Sequence, residues 1–243
     1  MRYAIFSDVH ANFEAWQAVL KAYQSEKIDQ FICLGDIVGY GADPGKCIAS
    51  LRELGAINIA GNHDWAVVEK FDDFYFNQFA LQAIAWTKQV LDESEKQFLR
   101  NLPLTYSDNN LYAAHAGLWR ADKFLYTYSI AAAIKSFNLI QNKPCFIGHT
   151  HIPMFIKKNK TGAIFLNYPD LFKLEADSEY IVNVGSVGQP RDGNPDAAYA
   201  VYDTKKRLVE IKRISYNIPT KAQTKIRKAR IAEYLAQRLG QGR

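Results

Sequence analysis

Cysteine is scarce in this chain: Cys33, Cys47 and Cys145 are the only three among 243 residues. An odd, widely spaced set does not make a disulfide framework and points to a reducing, cytoplasmic compartment. Long apolar runs are missing as well. The opening stretch MRYAIFSDVH meets an acid at Asp8, too early for a signal-peptide core. Nowhere do the roughly 18 consecutive apolar residues of a membrane span occur. Repeats and low-complexity tracts are absent, and 48% hydrophobic with 23% charged residues excludes disorder, collagen-like and coiled-coil chains. A strong charge of one sign is also lacking over most of the length. The net charge is +5, yet residues 219–243 alone carry +6, with seven basic residues against Glu233, so the remainder sums to −1. The main body is therefore no basic surface for nucleic acid. The basic segment reads as one C-terminal helix over about residues 219–238 with a solvated face.

What remains is a chain long enough to bury a core as a single domain over residues 1–243. Short apolar runs alternate with amphipathic stretches, which predicts an α/β fold. Strands are expected at Tyr3–Phe6, Phe31–Leu34, Ile57–Ala60, Leu111–Ala114 and Pro144–Ile147. Helices are expected at Asn12–Tyr23, Pro44–Leu54, Asn77–Leu102 and Ser129–Ile140. After residue 150 the pattern changes to five strand-like runs with turn-like separators, which reads as an antiparallel meander forming a second sheet.

The chemistry follows the early strands. YAIF runs into SDVH, FICL into GDIV, INIA into GNHD, LYAA into HAG and CFI into GHTH. In open α/β sheets, sites form at the carboxyl ends of strands. These segments hold Asp8, His10, Asp36, Asn62, His63, Asp64, His115, His149 and His151, including all five histidines of the chain. In D-x-H and H-x-H the residues are two apart, so in extended backbone both side chains face one ion. A mixture of carboxylate oxygen and imidazole nitrogen suits Mn, Fe or Zn better than Ca. Seven ligands exceed the need of one tetrahedral ion and suit two ions sharing a carboxylate.

The ordered blocks D-x-H, GD, GNHD, a lone H and GH-x-H resemble the calcineurin-like metallophosphoesterase family. The similarity spans residues 8 to 151, with the later strands fitting the family's second sheet. The resemblance implies a four-layer αββα sandwich of two mixed β-sheets flanked by helices. It implies that Asp8, His10, Asp36 and His151 hold one ion, and that Asp36 bridges to a second completed by Asn62, His115 and His149. The cofactors would be two divalent or mixed-valence transition-metal ions, Mn first, then Fe or Zn. His63 would be the general acid, and Asp64 would orient and polarise its imidazole. The activity implied is ester hydrolysis by a hydroxide bridging the two ions.

The GDIVGYG run lacks the arginine of the GDxVDRG pattern found in protein Ser/Thr phosphatases. Together with NVGSVGQPRDG it resembles the small prokaryotic phosphodiesterase branch. Without that clamp, diesters are the expected substrates, with dinucleoside polyphosphates or phosphomonoesters as the alternative. A non-catalytic scaffold of the same fold is less expected, because every ligand is intact. The partner is a small phosphorylated molecule, nucleotides included. Gly185, Ser186 and Arg191 are read as a further substrate-binding turn, its amides and guanidinium holding phosphate alongside Asn62. The alternative for that turn is a conformational glycine loop with Arg191 in solvent.

Overall fold

A computed structural model, which describes residues 1–72, 74 and 76–243, shows in its first strand how the layers arise. Along β1 (Arg2–Phe6), Tyr3 and Ile5 enter one apolar cluster while Ala4 and Phe6 enter another. A strand buried on both faces must lie between two layers. Six strands make its sheet, in the order β3 (Ile57–Asn58), β2 (Gln30–Cys33), β1, β11 (Ala197–Asp203), β12 (Leu208–Ile214) and β9 (Leu171–Lys173). The second sheet has the order β4 (Thr105–Ser107), β5 (Tyr112–Ala114), β6 (Cys145–Ile147), β10 (Ser178–Asn183), β7 (Met154–Asn159) and β8 (Ile164–Asn167). Both sheets are mixed: β1–β2–β3 and β5–β6–β10 run parallel, and the outer pairings are antiparallel.

Between the sheets lie Tyr3, Ile5, Ile32, Leu34, Phe146, Phe155, Tyr180 and Val182. The far face of the first sheet is covered by α1 (Phe13–Tyr23) and α2 (Pro44–Leu54), the far face of the second by α6 (Ile130–Phe137). This is the expected αββα sandwich. In α1, the Asn12 side chain caps the helix by accepting from Ala15 N at 3.2 Å, and Trp16 is wholly buried with its ring centroid 4.5 Å from that of Phe6. Removing so large a core side chain typically costs about 3–5 kcal/mol.

Three expectations change. The late strands do not form a sheet of their own: β11, β12 and β9 complete the first sheet, and β10 inserts between β6 and β7. The helix expected over Asn77–Leu102 is two, α4 (Gln78–Val90) and α5 (Glu93–Arg100). Asp92 starts the second one as a capping box, its side chain accepting from Glu95 N at 2.8 Å while Glu95 accepts from Asp92 N at 2.9 Å. The C-terminal segment is also not one helix. A π-helical turn at Ile218–Ala222 leads into α7 (Gln223–Lys228), and α8 (Glu233–Leu239) folds back after Arg230, whose φ is +55°. Ile226, Ile231, Leu235 and Leu239 cannot share a single helical stripe, but as a hairpin they pack against Tyr40, Ala80 and Ala83. Among the described residues, no helix is long and apolar enough to cross a membrane.

Candidate active site

The ligand loops leave β1, β2, β3, β5 and β6 at their carboxyl ends and meet at one edge of the sandwich. Asp8, His10, Asp36, Asn62, His63, His115, His149 and His151 are all buried there. Their backbone is not extended, contrary to the D-x-H expectation. Asp8, His10, Asp36, His149 and His151 adopt φ of +55°, +48°, +52°, +66° and +61°. Such left-handed conformations cost on the order of 1–3 kcal/mol each and persist only where the surroundings enforce them. The convergence of the paired residues comes from these turns rather than from strand alternation.

Each carboxylate gives one oxygen to the main chain and turns the other inward. Asp8 Oδ2 accepts from His149 N at 3.0 Å, leaving its buried Oδ1 3.2 Å from His151 Nε2. Asp36 Oδ1 accepts from His63 N at 2.9 Å, and its Oδ2 lies 3.4 Å from His115 Nε2 and 3.6 Å from His10 Nε2. The histidines are fixed the same way. Nδ1 of His10, His115 and His151 faces the carbonyls of Val38, Leu34 and Gln189 at 3.1, 2.8 and 2.5 Å. A carbonyl only accepts, so each Nδ1 carries the hydrogen and, in the neutral ring, each Nε2 lone pair points inward. His10 Nε2 and His151 Nε2 then stand 3.1 Å apart, and His115 Nε2 stands 3.1 Å from His149 Nδ1. The His10 and His151 lone pairs so opposed suit a cation between them.

The donor set therefore fits metal ions. Asp8, His10 and His151 form one group with ligand atoms within 4.8 Å, and Asp36, His115 and His149 form another. The buried Oδ1 of Asn62 has no hydrogen-bond partner among the described residues. Burial works to neutralise His115, yet the charges of Asp36 and Asp8 draw it up to about 9, so the carboxylates attract positive charge at that spot. His10, Asp36 and His63 also come within 4.8 Å of one another, which sets His63 at the cluster's edge.

His63 is held by packing. Its ring meets those of Tyr40 at 4.5 Å, His10 at 4.9 Å and Phe76 at 4.9 Å between centroids, and Nδ1 has no hydrogen-bond partner among the described residues. Gly39, at φ +92°, passes so close that a Cβ would strike the imidazole. Burial pushes His63 down to about 4; the charge of Asp36 opposes the fall, and those of Arg191, His151 and His115 add to it.

Asp64 does not touch the His63 imidazole, contrary to expectation. Its Oδ1 accepts from Ile37 N and Val38 N at 2.9 and 3.1 Å, and its Oδ2 from Gly61 N at 2.9 Å. It ties the Asp36 loop to the start of α3 (Asn62–Val67) and acts on His63 only through that scaffold. The turn after β10 is corrected as well. Gly185 N donates to Asn183 Oδ1, Val187 N to Ser7 O, Gly188 N to Asp8 O and Gln189 N to Ser186 Oγ. Ser186 Oγ in turn donates to Asp8 O, and its side chain is wholly buried. Gly185 N and Ser186 Oγ are both bonded within the protein, and the turn braces the Asp8 loop. Arg191 does reach the site, with Nε and Nη2 donating to Gln189 Oε1 and its guanidinium 5.8 Å from the Tyr40 ring.

Beside Asn62, His63 and His149 opens a cavity of about 630 Å³, walled by Trp65, Phe71, Phe76, Phe124 and Tyr126. Tyr126 stacks on His149 at 4.0 Å and on Tyr128 at 4.8 Å. The sequence reading missed these aromatics and Tyr40. The signal for Tyr40 was its flanking glycines, Gly39 and Gly41.

A sequence model described as the calcineurin-like phosphoesterase superfamily domain matches residues 1–207. The uncharacterized protein MJ0912 of Methanocaldococcus jannaschii is 37% identical over 99% of this chain and 98% of its own. The crystal structure of a metallophosphoesterase from Sphaerobacter thermophilus superposes with a TM-score of 0.88 at 35% identity, covering 100% of this chain and 99% of that one. The structure of PH1004 from Pyrococcus horikoshii shares the fold at a TM-score of 0.81 and 16% identity, covering 100% and 98%.

Proposed function

The chain belongs to the calcineurin-like phosphoesterase superfamily and is a hydrolase of phosphoester bonds; from that premise we propose that it hydrolyses phosphodiesters at a dinuclear centre. The observation that carries this reading is the inward convergence of imidazole lone pairs and free carboxylate oxygens in two groups beside His63. Asp8, His10, Asp36 and His151 would hold one ion, with Asp36 shared to a second held by Asn62, His115 and His149, and Mn is the favoured metal. When bound, such a pair supplies Lewis-acid charge to the phosphoryl oxygens and lowers the pKa of water.

The protein's own groups do the rest. Asn62 donates its amide hydrogens to a phosphoryl oxygen while its Oδ1 serves the cluster. His63 is neutral at pH 7 in the free site; an anionic ester against it favours the imidazolium, which then gives its proton to the leaving oxygen. Asp36, through the His63 main chain, and the Gly39–Tyr40–Phe76 packing hold that ring in place. The aromatic cavity takes an organic substituent and shields the ester from water.

Two features favour a diester. A monoester dianion calls for more compensating cation than a diester monoanion. The loop after Asp36 carries no arginine, and Arg191, from another stretch of chain, is already bonded to Gln189. The cavity also has room for a second organic group on phosphorus. With Mn²⁺, bis-aryl phosphate should show higher kcat/KM than the matching aryl monoester. A monoester preference of about tenfold, some 1.4 kcal/mol of transition-state binding, would overturn the diester assignment.

A further inference from the structure

Three of the candidate ligand histidines are oriented from behind by main-chain carbonyls: His10 by Val38, His115 by Leu34 and His151 by Gln189. His149 is held differently. It turns Nδ1 rather than Nε2 toward the cluster, 3.1 Å from His115 Nε2. Its other nitrogen, the buried Nε2, has no hydrogen-bond partner among the described residues. A ligating imidazole is ordinarily aimed by a hydrogen bond on its second nitrogen, which fixes tautomer and ring orientation together. For His149 that bond is missing, so another contact has to fix the ring.

The contact is aromatic. The Tyr126 ring lies 4.0 Å from the imidazole with 22° between the planes, and Tyr128 stacks on Tyr126 in turn at 4.8 Å and 10°. Both tyrosines are half-exposed, but Thr127 between them is buried, and its Oγ1 donates to Ala116 O at 2.8 Å. Ala116 follows His115, so the stacked pair is tied to the loop of another candidate ligand. The His115 ring also meets His149 edge to face, at 4.8 Å and 63°. A ring stacked on the face of an imidazole restrains its tilt while leaving either nitrogen free to carry the hydrogen. With the hydrogen on Nε2, Nδ1 presents its lone pair to an ion.

We propose that Tyr126 is the positioning residue of the second ion: its ring, backed by Tyr128, does for His149 what a carbonyl does for the other three histidines. The inference rests on the dinuclear reading of the centre. It makes the two ions unlike in their support. His10 and His151 of the first group are aimed from the main chain, whereas the second group depends on one half-exposed side chain.

Calorimetric titration of the metal-free full chain with Mn²⁺ tests this, with electron paramagnetic resonance to tell a coupled pair from a lone ion. Wild type should take two ions. Tyr126→Ala should weaken one of them about 10–100-fold, the usual effect of losing a group that orients a ligand, and leave the other unchanged. The ion lost should be the one lost in His149→Ala, with the same single-ion spectrum, and not the one lost in His151→Ala. Tyr126→Phe, which keeps the ring without the hydroxyl, should bind as wild type does. Tyr126→Leu, which keeps bulk without a flat ring, should not. If Tyr126→Ala fails to fold, the Phe and Leu variants decide alone. Equal binding by wild type and Tyr126→Ala, equal binding by the Phe and Leu variants, or a loss matching His151→Ala overturns the proposal. A wild type that binds one ion or none would instead sink the dinuclear reading, and this inference with it.

Discussion

The Asp36 carboxylate accepts the main-chain N–H of His63 at 2.9 Å, while its other oxygen faces His10 and His115. The group that would join two ions therefore also sets the position of the proposed acid. Damage at Asp36 is expected to reach both.

Metal content tests the shared role of Asp36. Elemental analysis of saturated protein should find about two Mn, Fe or Zn ions per chain, as two-metal sites require. Asp36→Asn should weaken the retention of both. Loss of one ion with the other held at wild-type affinity would show that Asp36 does not bridge.

His63→Ala should keep both ions and lose roughly 10²–10⁴ in rate, the usual weight of a general acid. With 4-nitrophenolate as leaving group, which hardly needs a proton, the loss should be smaller. The check is a rate series over leaving-group pKa. An equal loss along the series would remove His63 from the proton transfer.

Asp64→Ala should behave differently. It strands three buried N–H groups, those of Ile37, Val38 and Gly61. At about 1 kcal/mol or more each, the melting temperature should fall by roughly 6–12 °C. Residual activity should drop alike for good and poor leaving groups. A variant with wild-type melting and a leaving-group-dependent loss would restore the polarising role that adjacency to His63 suggests.

Gly39→Ala combines an unfavourable φ with a methyl group directed at the His63 ring. We expect metal binding close to wild type and a rate loss approaching that of His63→Ala. Wild-type turnover in this variant would mean that the ring position is not set by Gly39.

The ligand loops were legible because each follows a short apolar strand, and strand ends gather at one edge of a sheet. The role of Asp64 was less so. Its neighbour in sequence is His63, but at the third position of a helix a carboxylate turns back to the N-terminus, here Gly61 N. That spacing, Gly61 to Asp64, is the N-cap-to-N3 spacing at which a carboxylate can accept from the N-cap amide. The turn after β10 looked open because its glycines are visible, whereas the carbonyls of Ser7 and Asp8 that take its amides lie far away in the chain. The left-handed ligand backbones are only weakly marked in residue type: Asp and His are enriched at such φ, but most Asp and His elsewhere do not adopt it.

The interleaving of the strands has a consequence for how the protein is made. All seven candidate ligands have been synthesised once His151 is added. Yet β1, which carries Asp8 and His10 at its end, has β11 at residues 197–203 as one of its two neighbours, and β6 has β10 at 178–183. A nascent chain ending near residue 151 thus holds every donor and neither completed sheet. Pairings so distant in sequence form late. The Asp8 loop lacks its braces from Ser186, Val187 and Gly188, and β1 its partner β11, until some fifty more residues are made, roughly 3–10 s of synthesis at about 5–20 residues per second. The full set of contacts around the candidate ligands is therefore expected only after β11 has been made, later than the ligands themselves.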